Sequence, residues 1–209
     1  MDLRAPEAEG KSGNLRFVRR VLTETEKRFF DRSAASDIYL WAAWAAKETA
    51  YKALVKTRPD IASWPGLYET GFDCDDFRGI SQCRGVVETA SYSVRVMLCI
   101  NDSYIHCIGS ESGGVSVDEL CSGVDEIAPD RRNPQGQSEA ARHAAIRSIA
   151  RLTEISPSDM EIKRHRGKRG FGPPLVYISK KPTGVDLSLS HHGGFAAFAF
   201  TLQGTCQAR

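Results

Sequence analysis

The stretch WAAKETAYKAL, residues 44–54, carries more information about fold and chemistry than any other part of the sequence. Side chains three and four residues apart are neighbours on a helix, so Trp44, Glu48 and Lys52 would share one helical face. A glutamate and a lysine at this spacing also form an ordinary surface ion pair, which stabilises a helix by only about 0.3–0.5 kcal/mol. The spacing alone allows either a solvated salt bridge or a binding site.

Apolar neighbours strengthen the second interpretation. Trp41, Ala42 and Ala46 lie close to Glu48 in the sequence, so we expect the Glu48 carboxylate to be half buried. A buried carboxylate without a partner is costly. A bound divalent cation would offset that cost, because Mg²⁺ accepts carboxylate oxygens as ligands.

Two helix starts flank this region on its N-terminal side. Thr23 followed by Glu26 is a capping-box pattern, which predicts a helix over residues 23–30. The Ser-Asp pair at 36–37 predicts the start of a long apolar-rich helix. That helix should reach about residue 57 and end before Pro59.

Strand patterns dominate the rest of the chain. Apolar residues alternate over residues 94–100, a turn follows, and residues 104–108 predict a returning strand. Helical spacing returns at Ser138, and further strands are predicted at residues 160–163, 175–179, 185–190 and 195–202. Helices first and strands later predict an α+β fold, with a long helix packed on an antiparallel β-sheet. No internal repeat is evident in the sequence.

Composition excludes few classes of function. The formal charge is +2, and no apolar run reaches the roughly 18–20 residues that a membrane-spanning helix needs. The six cysteines form no C-x-x-C pair and no zinc-binding spacing, so we expect reduced thiols. A charged rather than apolar N-terminal segment argues against secretion, and we expect a cytoplasmic protein.

The second informative stretch is VDLSLSHHGGFAAFAF, residues 185–200. It reads as a half-exposed strand that ends at paired histidines and is followed by a strand of small and aromatic residues. A histidine at a strand end is more often structural than functional, so this stretch by itself predicts no activity.

Together the two stretches resemble the 4'-phosphopantetheinyl transferase superfamily, and specifically its holo-acyl-carrier-protein synthase branch. The helix pattern of that family runs aromatic, small, any residue, Lys-Glu, small, any two residues, Lys, and residues 44–52 fit it. Its strand pattern is Ser, any residue, Ser or Thr, His, then a short loop and an Ala-rich strand, as in residues 188–197. The resemblance implies a phosphopantetheinyl transferase-like fold.

The resemblance also implies roles for the charged residues of the helix. Glu48 would coordinate Mg²⁺ on the diphosphate of coenzyme A and help to orient the attacking hydroxyl. Lys52 would offset the negative charge that develops on the phosphate oxygens. Lys47 would help to bind phosphates.

The resemblance further implies contacts with the coenzyme and with a carrier protein. Trp44 would pack beside coenzyme A, and His191, with Ser190, would bind one of its phosphates. His192 has the weaker claim. The resemblance also implies that Arg16, Phe17 and Arg20 bind the carrier protein. Their counterparts in the family face the acidic recognition helix of the carrier. A basic solvated loop is the alternative interpretation of that last segment. The basic run at residues 163–169 would meet either the coenzyme's 3'-phosphate or the carrier, or be simply exposed.

One element of the family pattern has no clear counterpart. The second metal carboxylate belongs to a Gly-x-Asp ahead of the Arg-Phe segment, and here only Asp2 stands near that place. The sequences at 123–125 and 184–186 have the same letters but the wrong chain order, and we interpret them as decoys. The missing ligand lies upstream, or Asp2 or a water replaces it, or the protein no longer catalyses transfer.

The resemblance covers residues 16–54 and about 151–202. We therefore expect a single domain over residues 1–209 with a β-rich insertion at about residues 60–137. Short members of this branch form trimers with sites at subunit interfaces. Because one helix motif and one histidine strand are present, we expect a homo-oligomer, and a trimer is one such form.

These observations lead to one expected function and two alternatives. The expected function is transfer of 4'-phosphopantetheine from coenzyme A to a serine of an apo acyl or peptidyl carrier protein. The products would be the holo carrier and 3',5'-ADP, and fatty-acid, polyketide and peptide synthesis all remain open. The first alternative is an impaired homologue that binds coenzyme A or a carrier without turnover. The second, nucleic-acid binding through residues 163–169, is weaker because aromatic residues are not interleaved there. We expect no nucleic-acid partner and no membrane partner.

Overall fold

A computed structural model of the chain describes residues 1–74, 77–167 and 170–202. The chain divides into two units, Met1–Asp118 and Glu119–Arg209. Each unit pairs one 20-residue helix with an antiparallel sheet. The predicted α+β class with antiparallel strands is therefore confirmed.

The first unit begins with helices and continues with strands. Its helices are α1 (Leu15–Val21), α2 (Glu24–Arg32) and α3 (Ser36–Val55), and its strands are β1 (Glu69–Phe72), β2 (Gln82–Glu88), β3 (Ser93–Ile100) and β4 (Ile105–Glu111). A short 3₁₀ turn, Pro65–Leu67, connects α3 to β1. The strands pair in chain order as an antiparallel meander, and α3 contacts β3 and β4.

Local sequence signals explain the helix boundaries. The Thr23 side chain accepts a hydrogen bond from the Glu26 amide, while the Glu26 carboxylate accepts from the Thr23 amide, so the predicted capping box is confirmed. Helix α1 has its own cap, since the Asn14 side chain accepts from the amide of Phe17. Helix α3 ends at Val55, four residues before Pro59.

A buried ion pair joins three elements of the first unit. Glu26 of α2 is fully buried, and one of its carboxylate oxygens accepts from Lys47 Nζ of α3 at 2.6 Å. The other oxygen accepts from both the amide and the hydroxyl of Thr70 on β1, each at 2.7 Å. Lys47 Nζ also donates to the backbone carbonyl of Val21 at 2.7 Å. The charges are compensated by these contacts, as burial of two ions requires.

Within its described residues, the second unit contains one α-helix and five strands. They are β5 (Cys121–Glu126), α4 (Pro134–Thr153), β6 (Met160–Gly167), β7 (Gly170–Ile178), β8 (Lys181–His192) and β9 (Phe195–Thr201). The sheet order is β5-β9-β8-β7-β6, with antiparallel pairs throughout. Ala145 and Ile149 of α4 pack with Leu187 of β8 and Phe200 of β9.

The two units have the same chain topology. In the second, a first strand, β5, is followed by a long helix and four meandering strands, and the last strand returns beside the first. In the first unit the opening residues take the place of β5, because Asp2 bridges Tyr104 in antiparallel fashion just before β4. The amide of Leu3 donates to Ser103, and that of Ile105 donates to the Met1 carbonyl, both at 2.9 Å. The fold thus contains a repeat that the sequence did not reveal.

The segment predicted as an insertion, residues 60–137, spans the division between the units. It contributes β1 to β4 to the first sheet and β5 and the start of α4 to the second. Strands β1, β2 and β5 were not predicted. Each of these strands has no long apolar alternation, and each depends on pairing with a neighbour.

Two cysteines of the first unit form a disulfide bond. Cys74, after β1, is joined to Cys83 of β2, with their Cα atoms 6.3 Å apart. The prediction of reduced thiols is wrong for this pair, because antiparallel pairing of β1 with β2 brings the two residues together. Cys99, Cys107 and Cys121 are free thiols, and Cys206 lies outside the described residues.

Within the described part of the chain, no helix is both long and apolar enough to span a membrane.

Replacement of Lys47 by methionine should destabilise the protein strongly, because Glu26 would then be a buried charge without its cation. We expect Lys47→Met to lower the free energy of unfolding by about 3–5 kcal/mol, measured by denaturant unfolding. The double variant Glu26→Gln, Lys47→Met is the control, and it should be the more stable of the two. A single variant within about 1 kcal/mol of the wild type would contradict the ion pair's importance.

Stability should also fall in mild acid because of His106 on β4. Burial, with a smaller contribution from the Met1 ammonium, lowers the pKa of His106 to about 4, and its Nε2 has no hydrogen-bond partner within the described residues. As the pH falls, the unfolded chain takes up this proton near its ordinary pKa of 6.5, well before the folded chain does. The unfolding free energy should therefore drop by about 2 kcal/mol between pH 7 and pH 5 through this group.

His106→Gln removes the titrating group and should flatten that pH dependence by the same amount. The measurement is denaturant unfolding of both proteins at each pH. Parallel pH profiles for the two proteins would show that His106 is not responsible.

Candidate active site

The predicted helical face lies on α3 at the border of the core of the first unit. Trp44, Glu48, Tyr51 and Lys52 are all half-buried, and they follow one another at helical spacing. On the inner side of the helix, Ala46 and Ala50 are fully buried among the core residues. The four residues therefore share one face of α3, as the sequence predicted. That face lies between the core and the solvent.

Lys47 does not belong to that face. Its side chain is 2 % exposed, and its ammonium donates to Glu26 and to the Val21 carbonyl. Burial lowers the pKa of Lys47, while the charge of Glu26 and its hydrogen bond oppose this effect. Neighbouring residues on a helix point about 100° apart, so Lys47 can anchor α3 while Glu48 faces outward. The predicted contact of Lys47 with phosphate is corrected to a structural role.

Glu48 is a half-buried carboxylate on α3. Among the described residues it makes no hydrogen bond and no ion pair. The pKa of the Tyr68 phenol is raised, mainly because the residue is buried and to a smaller extent by the charges of Tyr51 and Glu48. The charge of Glu48 therefore acts on Tyr68. The Tyr68 hydroxyl donates to the Ala62 carbonyl at 2.7 Å and so fixes the loop that follows α3. A partly desolvated acid of this kind is suited to bind a cation.

Lys52 lies toward the opening residues of the chain. Burial lowers the pKa of the Met1 ammonium to about 6; the charges of Asp2 and Cys107 raise it, and that of Lys52 lowers it further. Asp2 is buried, and its Oδ1 accepts from the amide of Arg4 at 2.9 Å. Lys52, Asp2 and the Met1 ammonium therefore share one electrostatic neighbourhood beside β4.

Helix α1 is held to α3 by aromatic contacts. The Phe17 ring lies 5.4 Å from Trp41 and 5.9 Å from Trp44, centroid to centroid. Phe17 therefore anchors α1, and Trp44 packs on protein. On the other side of α1, Arg16 and Arg20 are exposed. Phe17 therefore packs toward the core, while the predicted carrier-binding residues Arg16 and Arg20 face the solvent.

The histidine strand ends in a turn held by the start of α4. Strand alternation places His191 on the same face of β8 as Leu187, and Ser190 on the opposite face. His191 is exposed and Ser190 is half-buried. Gly193 adopts a positive φ of 56°, and its carbonyl accepts from the Gln137 side chain at 2.8 Å. The turn is therefore joined to α4 by a direct hydrogen bond.

Arg132 also lies on this turn. A Cβ at Gly194 would stand 2.9 Å from the Arg132 guanidinium carbon, so a larger residue there would have to displace the Arg132 side chain. Arg132 Nε donates to the Ile127 carbonyl at 3.0 Å, and the Ile127 amide donates to the Gly194 carbonyl at 2.7 Å. These contacts join the turn to the segment that precedes α4.

The basic run of the β6–β7 hairpin is exposed where it is described. Lys163 pairs with Glu161 at 2.7 Å, and Arg164 Nε donates to the Gly172 carbonyl at 2.8 Å. Lys168 and Arg169, which belong to the same predicted run, lie outside the described residues. Part of the positive charge of this run is thus already compensated by the hairpin.

The two sequences interpreted as decoys lie in the second unit. Asp125 on β5 forms an ion pair with Arg147 of α4, so its charge is compensated. Asp186 is exposed on β8. Neither the ion pair of Asp125 nor the exposure of Asp186 supports a role as a metal ligand.

Sequence reasoning missed two residues that shape this region. Glu26 was recognised only as a capping residue, although it also balances Lys47; no local signal marks that second contact. Trp64, in the loop after α3, is exposed and lies 5.7 Å from the Arg20 guanidinium, measured to the ring centroid. A tryptophan between serine and proline in a loop was a signal that could have been used.

Comparison with known proteins identifies the first half of the chain. Residues 1–104 match the sequence model of the 4'-phosphopantetheinyl transferase superfamily. Searches of curated proteins and of solved structures found no match. Proteins of this superfamily are transferases that use coenzyme A, typically with a divalent metal ion, and act on carrier proteins. Through residues 1–104, which include the face of α3 described above, the chain belongs to the 4'-phosphopantetheinyl transferase superfamily.

Proposed function

We propose that this protein transfers the 4'-phosphopantetheine group from coenzyme A to a serine of an apo acyl or peptidyl carrier protein, as a holo-acyl-carrier-protein synthase type of enzyme. The serine oxygen forms a bond to the phosphorus that bears pantetheine. The bond from that phosphorus to 3',5'-ADP breaks. The observation that carries this proposal is the half-buried Glu48 carboxylate, which lacks a hydrogen bond or ion pair among the described residues and lies within the family match.

Glu48 is the residue that would hold the metal ion, taken here as Mg²⁺. A half-buried carboxylate with open coordination fits a hard cation that prefers oxygen ligands. When bound, that ion offsets the negative charge on the phosphate oxygens. Asp2, buried and accepting from Arg4, is not assigned as a second ligand.

The other residues of the face would act on charge and position. Lys52 is half-buried one turn after Glu48, where its ammonium would stabilise the charge that develops during attack. Trp44 would pack beside the coenzyme only with the part of its ring left free by Phe17. In this proposal Lys47 holds α3 in place through Glu26 and does not touch substrate.

Ser190 and His191 are proposed to contact coenzyme A phosphate, as the resemblance implies. The exposed imidazole of His191 and the fixed turn after it support such a contact. Ser190, on the opposite face of β8, would contribute from a different side of the strand.

Recognition of the carrier is proposed to begin at α1. Arg16 and Arg20 are exposed, and a cationic helix attracts the acidic helix of a carrier and accelerates encounter. Phe17 would act by anchoring α1. Which biosynthetic pathway the carrier serves is left to experiment.

An impaired homologue is the second candidate function. It is favoured by the number of assigned metal ligands, since Glu48 is the one residue to which this proposal gives that role. In that case the protein would bind coenzyme A or a carrier without releasing 3',5'-ADP.

The prediction is a mass gain on an apo carrier protein incubated with the wild type, coenzyme A and Mg²⁺, followed by intact mass spectrometry. Glu48→Gln should reduce the rate by roughly 100-fold or more, because it removes the proposed metal ligand at similar size. Glu88→Gln, an exposed glutamate on β2, is the matched control and should keep the wild-type rate.

Two results would count against this proposal. Equal transfer rates for Glu48→Gln and the wild type would show that Glu48 is not required for catalysis. Tight binding of coenzyme A by the wild type with no mass gain on any carrier would favour the impaired homologue instead.

A further inference from the structure

Two cysteines and an aspartate of the first unit form a group that includes no residue of the α3 face. Asp73 and Cys74 follow strand β1, and Cys83 lies on β2. The two sulfur atoms and a carboxylate oxygen of Asp73 all lie within 4.8 Å of one another. Asp73 is exposed, Cys74 is half-buried and Cys83 is buried, so the group extends from the solvent to the core. We call these three residues the Cys-Asp cluster.

Antiparallel pairing of β1 with β2 brings the Cys-Asp cluster together. Phe72 lies opposite Gly85 at the end of that pairing, and just beyond it the Asp73 amide donates to the Arg84 carbonyl at 3.0 Å. The Arg84 amide donates in return to Asp73 Oδ1 at 2.8 Å. The same oxygen lies 3.4 Å from Cys83 Sγ. The backbone thus orients the Asp73 carboxylate beside the sulfur atoms, as outer hydrogen bonds orient the ligands of a metal ion.

The guanidinium of Arg84 is directed to a different acid. Its two terminal nitrogens donate to the Asp118 carboxylate at 2.6 and 3.0 Å, and the two side chains form an ion pair. The hydrogen bond that Asp73 receives from Arg84 therefore comes from the backbone amide. Because a carboxylate has about four lone-pair sites, one amide donor leaves Asp73 with acceptor capacity for a cation.

The ligand types of the cluster suit a zinc ion. Zn²⁺ binds thiolates at about 2.3 Å and carboxylate oxygens at about 2.0–2.2 Å in tetrahedral geometry, which separates two thiolates on one ion by about 3.8 Å. The Cα atoms of Cys74 and Cys83 are 6.3 Å apart. Side chains at that separation can form a disulfide, and rotation about their Cα–Cβ bonds allows them to share an ion instead. Mg²⁺ and Ca²⁺ prefer oxygen ligands and fit the two sulfur atoms less well.

We propose that reduced Cys74 and Cys83 bind Zn²⁺ together with Asp73, and that the disulfide is the oxidised form of this site. A dithiol reductant supplies two electrons and two protons to the sulfur–sulfur bond and is itself oxidised to a disulfide, so the chain is left with two thiols. Zn²⁺ then replaces the two thiol protons, which pass to the solvent. A water molecule completes the tetrahedron beside the three protein ligands. The proposal is independent of the transferase reaction.

The disulfide and the zinc ion are two ways of closing the same loop between β1 and β2. In the described part of that loop, Phe77 is buried and packs against Tyr39 of α3 and Phe72 of β1, with ring centroids 5.8 and 5.3 Å apart. Under reducing conditions the sulfur–sulfur bond is lost. A bound zinc ion would then keep the loop closed, and with it the aromatic contact that Phe77 makes with α3.

Titration with Co²⁺ of the protein reduced by a phosphine tests the site, because Co²⁺ takes the place of Zn²⁺ and its thiolate complexes absorb light. One equivalent should give a thiolate-to-cobalt charge-transfer band and the strong visible bands of tetrahedral cobalt, and Zn²⁺ should remove both. The oxidised protein and Cys74→Ser should show neither. Asp73→Asn should weaken Co²⁺ binding by about tenfold or more. Cys99→Ser, which removes an exposed free thiol of β3, is the matched control and should leave the spectrum unchanged.

Thermal unfolding of the reduced proteins gives a second readout. Zn²⁺ should raise the Tm of the wild type and of Cys99→Ser, because it binds the folded site, and should leave the Tm of Cys74→Ser unchanged. Since Asp73 is exposed, Asp73→Asn tests the site even if Cys74→Ser does not fold. A reduced wild type without the charge-transfer band, or the same Co²⁺ affinity in the wild type and Asp73→Asn, would overturn the proposal. Equal effects of Zn²⁺ on the Tm of the wild type and Cys74→Ser would do so as well.

Discussion

The Glu26 carboxylate is the contact on which the first unit depends. It closes the cap of α2, pairs with Lys47 of α3 and accepts two hydrogen bonds from Thr70 of β1. A buried carboxylate is tolerated only when its charge and its hydrogen-bonding capacity are both satisfied, and here four donors meet it. This network fixes the rotation of α3 about its axis. Because Lys47 points inward, the next residue, Glu48, must lie on the half-buried face with Lys52 one turn later.

The same fixed geometry organises the surroundings of Glu48. Phe17 fastens α1 to Trp41 and Trp44, so the arginines of α1 face outward. Tyr68 fastens the loop after α3, and that loop presents Trp64 beside Arg20. The contacts of Phe17 and Tyr68 thus help to place the exposed arginines of α1 and the exposed ring of Trp64. The second unit repeats the topology around α4, where Asp125 pairs with Arg147. The expectation of a homo-oligomer rests on the single helix motif and the single histidine strand in the sequence, and it stays a prediction.

The sequence predicted what depends on neighbouring residues. The capping box at Thr23, the long α3 helix, the alternation in β3 and the strand before His191 are all local patterns, and the structure contains each of them. Contacts between distant segments could not be predicted in this way. Lys47 and Glu26 are 21 residues apart, so the family pattern suggested a phosphate ligand where the fold makes an internal ion pair. Strands β1, β2 and β5 form by pairing with neighbouring strands, which their own sequences do not indicate. The two units also share a topology although their side chains differ, so the sequence shows no repeat. The Cys74–Cys83 bond has the same origin.

The central claim is that Glu48 is a metal ligand in the presence of coenzyme A. Titration with Mn²⁺, followed by electron paramagnetic resonance, measures this directly and needs neither a carrier protein nor turnover. The account predicts that the wild type binds Mn²⁺ when coenzyme A is present, and that Glu48→Gln weakens this binding by about tenfold or more. The same Mn²⁺ affinity in the wild type and in Glu48→Gln would contradict it.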